Sequence, residues 1–427
     1  MMMHFLASAA LVALSARAVL ATDCDTDNQC PESAPCCSQY GECGVGAYCL
    51  GGCDPLSSYS LDACVPEPVC VDKTFTKFKN TDNIMANTKY LGASSETDWV
   101  SSGTPLVYNG NLLLTMPQNS TGTLLTSTSY VWYGKISAKL KTSRGAGVVT
   151  AFIFLSNVKD EIDYEFVGVE LETAQTNYYF QGIENYDNGK NITTDSNTYK
   201  NFHTYEIDWQ PDEITWSVDG EVGRTLKKSD TWNSTSNRYE YPQTPALVEL
   251  SLWPAGLSTN AAGTISWAGG EIDWDSEDIQ NYGYYYATFA EVNITCYDAP
   301  SNANKTGDNS YIYTDDSGLN TSVAITDDKH VLASLEATGL NMSVGESSSS
   351  SNVANVPGVS NAGAGAAANS ATAAASSGSS SSSSSGSSSS GFSQGTGDTN
   401  SAPAKTEKVM QSSLFAILIA LMGMIAL

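Results

Sequence analysis

Four carboxylates fall within six residues of the stretch DEIDYEFVG: Asp160, Glu161, Asp163 and Glu165. Successive side chains of a β-strand point to opposite faces. Glu161, Asp163 and Glu165 therefore share one face, and Ile162, Tyr164 and Phe166 share the other. The apolar face belongs in a core, so the acidic face must line water or a cleft. Neighbouring carboxylates resist simultaneous ionisation and raise one another's proton affinity. A set with one ionised and one protonated member is what retaining glycoside hydrolysis needs, as nucleophile and general acid. Residues four apart on a flat strand are about 13 Å apart at Cα, whereas a retaining pair of carboxyls stands about 5–5.5 Å apart. The chemistry thus demands a strongly curved sheet with the acids on its concave side. A solvated strand face or a calcium site would use the same alternation.

The elements around this strand are also strands. WYGKISAKLKT, FHTYEIDWQ, EITWSVDG and ALVELSLW alternate with period two, and VDGEVG and YDNGKN supply turns. Helical periodicity is nearly absent. Residues 71–298 are therefore predicted to form an all-β sandwich. Aromatic rings stack on the apolar faces of sugars while polar groups read the hydroxyls. In ALVELSLWPAG, Glu249, Ser251 and Trp253 share a face opposite Val248, Leu250 and Leu252, which places Glu249 and Trp253 toward the cleft or solvent. Trp253 precedes Pro254 at a strand end, where a rim residue would sit. Thr264 and Trp267 form a second candidate pair, whereas Trp209 and Trp216 are expected to serve the fold. His203 has no second histidine nearby and is given a structural role; no metal and no cofactor are expected.

Nine of the ten cysteines lie between Cys24 and Cys70, and the next 225 residues hold none. That density predicts a disulfide-stapled module over residues 22–70. Zinc is disfavoured, because there is no C-x-x-C pair and the compartment read from the ends of the chain is oxidising. Residues 1–21 have the short polar start, apolar run and small-residue exit of a secretory signal peptide. Residues 401–427, with small residues around Asn400 and an apolar run from Leu414 to Leu427, match a glycosylphosphatidylinositol (GPI) signal. Residues 299–400 turn acidic and then Ser/Ala/Gly-rich, the composition of a disordered stalk. Sequons at Asn119, Asn191, Asn233, Asn293, Asn304, Asn320 and Asn341 fit a secreted glycoprotein. The formal net charge of −26 argues against nucleic acid as a partner.

The motif DEIDYEFVG, with FHTYEIDW, ITWSVDG and SLWPAG, resembles the signature set of the jelly-roll glycoside hydrolase family 16, and the resemblance spans about residues 73–298. The added cysteine module, Ser-rich stalk and lipid signal resemble the fungal Crh group of chitin–glucan transglycosylases. The resemblance implies Glu161 as nucleophile, Glu165 as acid/base and Asp163 as the group that tunes the nucleophile. It favours Trp253 as the sugar-stacking ring. It implies chitin and β-glucan as polysaccharide partners, a GPI-bound monomer at the outer leaflet or cell wall, and no cofactor. The motif is shared by hydrolases, so an endo-β-glucanase stays open, as does a non-catalytic wall lectin.

CPESAPCCSQYGECGVGAYCLGGC resembles a hevein-like chitin-binding domain. Spacing alone leaves the pairing of its cysteines open. The resemblance implies Cys24–Cys37, Cys30–Cys43 and Cys36–Cys49, with Cys53–Cys64 following. Cys70 and Cys296 remain, flanking the β domain, where they could staple its ends. Ser38, Tyr40 and Tyr48 fall at sugar-contacting positions of that family, and Glu42 stands where a third aromatic is usual.

Overall fold

Alternating strands in the middle of the chain build two eight-stranded sheets that pack face to face. The structure is a computed structural model and describes residues 22–346 and 356–357. The signal segment, Asn400 and the apolar tail lie outside the described residues.

One sheet carries the acidic strand. Its members are β1 (Ile84–Ala86), β2 (Trp99–Ser102), β3 (Thr123–Ser127), β4 (Val148–Ser156), β5 (Glu161–Val167), β6 (Thr173–Tyr179), β7 (Lys190–Thr193) and β8 (Ala246–Pro254). Their spatial order is β7-β6-β5-β4-β8-β3-β2-β1. The acidic strand is thus central, held by β4 and β6. Its inner face, Ile162, Tyr164 and Phe166, enters the core with Trp209, Trp216 and Tyr205 of the second sheet. The phenol of Tyr164 donates to the Ser217 carbonyl at 2.9 Å, and the indole N–H of Trp216 donates to the Asp163 carbonyl at 3.0 Å. These bonds tie the backbone of the acidic strand to the opposite sheet. Trp209 and Trp216 are both fully buried.

The disulfides are Cys24–Cys37, Cys30–Cys43, Cys36–Cys49, Cys53–Cys64 and Cys70–Cys296. The last joins the end of the cysteine-rich segment to the long strand Tyr284–Cys296.

A stalk beginning at residue 299 is not what the structure shows. Ser310–Tyr313 and Val323–Thr326 form a small sheet with Asn304–Lys305 and with Glu67–Pro68. Tyr311, Tyr313, Val323 and Ile325 join the main core, and Leu332 and Ala337 pack with the cysteine-rich segment. Short apolar alternations such as SYIY and VAIT, too brief to register against the fading aromatic content, carry this extension.

Candidate active site

All seven residues of β5 and all nine of β8 are buried, so the outward face of this part of the sheet is enclosed as well as the inward one. Register along β5 is unbroken. Glu161 pairs with Leu155 and Tyr179, Asp163 with Ile153 and Asn177, and Glu165 with Ala151 and Gln175. No extra residue interrupts the alternation, so all three acids emerge on the outward face, named here the cleft face. Gln175, Asn177 and Tyr179 emerge beside them from β6. These three were not singled out from the sequence, although the period-two run QTNYY on the strand after the acids carries the signal.

Burial is the main influence on each acid. It raises Glu161 and Glu165 well above the ordinary carboxylate range, and the neighbouring acids add to the rise. Asp163 is pushed up to about 7 by burial, against the opposing pull of Arg224 and a backbone hydrogen bond from Asn177. Negative charge in the trio therefore rests most easily on Asp163. Arg224 supplies the nearby positive charge from behind the sheet. Its guanidinium donates to the Thr176 carbonyl at 2.8 Å and the Asn188 carbonyl at 2.7 Å, and lies 4.3 Å from the Trp216 ring. Nothing in the local pattern of EVGRTLK announced this role. The phenol of Tyr179 faces all three acids, which together with burial hold its proton in place. Asp160 points elsewhere: its carboxylate accepts from the backbone N–H groups of Gln181, Gln243 and Thr244 and from the Thr244 hydroxyl, fixing two loops at the foot of β5.

Among the expected sugar contacts, Glu249 lies on the cleft face in the same cross-strand row as Asp163, two strands away. Burial pushes it up to about 7, with the polar side chains of Gln39 and Thr126 opposing. Trp253 reaches the cleft face but is not a rim residue. It is fully buried beside Val149, Val167 and Ala268, with Trp267 stacked over it at 6.1 Å. The physical reason is the short helix Ala262–Trp267, which folds back over the strand end. Trp267 is half-buried and its indole N–H donates to the Gln175 side chain at 2.8 Å, beside Glu165. It is the indole that faces the cleft. Thr264 is buried in the helix behind it.

The expected chitin-reading face of the cysteine-rich segment is not open. Ser38 is buried and its hydroxyl accepts from the Glu42 N–H at 3.3 Å. Tyr48 is buried among Cys36, Cys49 and Leu50. Tyr40 is half-buried, and burial first, with the charge of Glu249 adding, pushes its proton affinity up. The catalytic sheet and the segment around Leu332 cover this face.

His203 is buried between the Ser196 hydroxyl, 3.0 Å from Nε2, and the Asp219 carboxylate, 2.7 Å from Nδ1. Asp219 also accepts from the Thr204 N–H, so the group clasps a strand end. Among the described residues, only Cys24, Cys30 and Cys43 bring metal-binding atoms together, and all three are in disulfides. Of the sequon asparagines, Asn119, Asn191, Asn304 and Asn341 are exposed, and Asn233, Asn293 and Asn320 are half-buried.

Residues 93–269 match glycosyl hydrolases family 16. Crh-like protein 2 of Aspergillus fumigatus is 62% identical over 333 residues, covering 78% of this chain and 75% of the relative. Crh-like protein 3 of Botryotinia fuckeliana is 57% identical over 442 residues, covering 98% of this chain and 99% of the relative. Among solved structures, a Crh5 transglycosylase in complex with NAG aligns with a TM-score of 0.52 at 28% identity, covering 64% of this chain and 99% of that one.

Proposed function

Because the chain belongs to the Crh-like group of glycosyl hydrolases family 16 and is a retaining glycoside hydrolase/transglycosylase, we propose that it cuts chitin and joins the cut chain to β-glucan in the cell wall. The observation that carries this is the unbroken register of β5, which puts Glu161, Asp163 and Glu165 on one enclosed face. The NAG in the Crh5 transglycosylase complex, the sugar unit of chitin, supports the donor.

A Glu161 oxygen attacks the anomeric carbon as the glycosidic C–O bond breaks, and Glu165 gives its proton to the leaving oxygen. Asp163 takes up the proton that Glu161 releases before attack, since the two share one face and one enclosed environment. A hydroxyl of the acceptor glucan then attacks the anomeric carbon. Its proton passes to Glu165 and the bond to Glu161 breaks, so a new glycosidic bond replaces the old one. Enclosure of the cleft face favours a sugar hydroxyl over water at this second step. The enzyme works as a GPI-linked monomer outside the cell.

Incubation with chitin oligomers and fluorescent laminarin oligomers tests the reaction. A fluorescent hybrid is the expected product; chitin fragments or shortened laminarin alone would make the protein a hydrolase. Removal of Leu414–Leu427 should release the protein into the medium, and unchanged cell retention would refute the lipid link.

A further inference from the structure

Outward from Asp163, one row of paired residues crosses the cleft face: Ile153, Glu249, Thr126, Val100 and Met85. A polysaccharide lying across the strands would follow this row. Beyond Glu249 the row is roofed. Val100 and Met85 pack against the apolar cluster that contains Tyr48, Leu50 and Val65. Beside Glu249, Gln39 and Tyr40 line one cavity with Leu247 of β8 and Thr126 of β3, the residue paired with Glu249.

The roof is fixed by contacts that do not involve Glu249. A Cβ on Gly51 would come within 3.1 Å of Leu247 Cδ1, so the backbone sits directly on β8. The Gly52 N–H donates to Asn157 Oδ1 at 3.1 Å, and Asp54 pairs with Lys159 Nζ at 3.1 Å. Asn157 and Lys159 form the turn that leads into β5. The cavity left between roof and sheet measures about 100 Å³ and is lined by Gln39, Tyr40, Tyr90, Leu124 and Tyr130 among others. That is room for several waters.

We infer that the cysteine-rich segment is the end wall of the substrate cleft, with Gln39 and Tyr40 limiting how many sugar units bind on the β8 side of the carboxylates. The inference rests on the cleft being a site for β-linked polysaccharide. Two strand spacings separate β5 from β8, roughly 10 Å. A β-linked hexose advances a chain by about one spacing, so about two units fit before the wall. The half-buried ring of Tyr40 meets the last of them. Ser38 and Tyr48 then serve the wall's own packing, and the segment reads sugar from inside the cleft.

Calorimetric titration of the full chain with chitin and laminarin oligomers of increasing length tests this. Wild-type affinity should rise with length and then stop rising at a length set by the wall. In a Gln39→Ala/Tyr40→Ala double variant the plateau should move to chains longer by at least one unit. Tyr40→Phe, which keeps the ring, should keep the wild-type plateau. A plateau at the same length in wild type and a folded double variant overturns the inference. So does a wild type whose affinity does not depend on length. If the double variant fails to fold, Tyr40→Trp supplies the test: added bulk should shorten the plateau, and an unmoved plateau overturns the wall. Binding needs no turnover. Loss of transfer alongside a shifted plateau would therefore count against the transglycosylase reading and leave the wall standing.

Discussion

The two flanks of the acidic strand are built in different ways. On the β6 side, Glu161, Asp163 and Glu165 meet Tyr179, Asn177 and Gln175, all from the adjoining strand of one antiparallel pair. On the β8 side, Ile153 and Glu249 lead to Val100 and Met85, which lie under residues drawn from the cysteine-rich segment. The first flank is polar, and local strand pairing makes it. The second is closed by a segment about a hundred residues earlier in the chain, held by one ion pair, one N–H and a seated glycine. A cleft with one paired flank and one docked flank can keep its chemistry fixed while its length is set elsewhere. The two flanks should therefore fail separately when perturbed.

The largest effects belong to the acids between the flanks. Glu161→Gln should reduce turnover of every donor to background, because no glycosyl-enzyme bond can form. Glu165→Gln should cost about 10²–10⁴-fold with natural sugars, the usual worth of a general acid. Donors with an activated leaving group should regain much of the first step in this variant only. Steady-state assays with both donor types check the pair, and near-normal activity of Glu161→Gln would break the assignment.

These acids were legible because alternation, charge and apolar spacing sit within seven residues of one strand. The sandwich was legible for the same reason, strand by strand. The faces of Glu249 and Trp253 followed from β8, yet the covering of Trp253 did not. It depends on a six-residue helix, and GTISWAGG shows too little periodicity to announce one. Arg224 was hidden because its service to Asp163 comes through the sheet, from another strand pair. Docking of residues 39–54 was the least visible of all. The cysteines imply a compact module, but Gly51, Gly52 and Asp54 carry no mark of a partner until Leu247, Asn157 and Lys159 are beside them.

Next in size are the two indoles at the Glu165 end. Trp253→Ala removes a fully buried ring and should cost about 3–5 kcal/mol of stability. Trp267→Ala removes a half-buried ring beside Gln175 and should lower turnover by about five- to tenfold, the worth of an aromatic contact near 1 kcal/mol, with a much smaller loss of stability. Denaturant midpoints and oligomer turnover on both variants check the contrast. The reverse pattern would return Trp253 to the rim. On the docked flank, Lys159→Ala strands the Asp54 carboxylate, which is 4% exposed and still accepts from Ser57 Oγ and Leu56 N. With those bonds retained, the loss should be about 2 kcal/mol, below the ~3–5 kcal/mol of a fully stranded buried charge. Unchanged melting would mean that the flank is held without this ion pair.

The docked flank should also show a pH slope, from a carboxyl that the reaction does not use. Glu67 lines the seam between the cysteine-rich segment and β3 and β8; it is buried, and among the described residues neither of its oxygens has a hydrogen-bond partner. Burial raises it well above its ordinary 4.5. In the folded chain it therefore keeps its proton at pH values where the unfolded chain has released it. The folded state binds more protons over that window, so stability is greatest below the ordinary value and falls as pH rises toward the folded value. Each pH unit in the window costs up to about 1.4 kcal/mol. Glu67→Gln keeps a neutral side chain of the same shape and removes the titration. Asp160, Glu161, Asp163, Glu165 and Glu249 are also raised and contribute to the slope of both proteins. The difference between the two proteins isolates Glu67. Melting temperatures at intervals from about pH 5 to about pH 8 should fall in both proteins, and less steeply in Glu67→Gln. Parallel slopes would mean that Glu67 is ionised and solvated in the fold, and that the docked flank is open to water there.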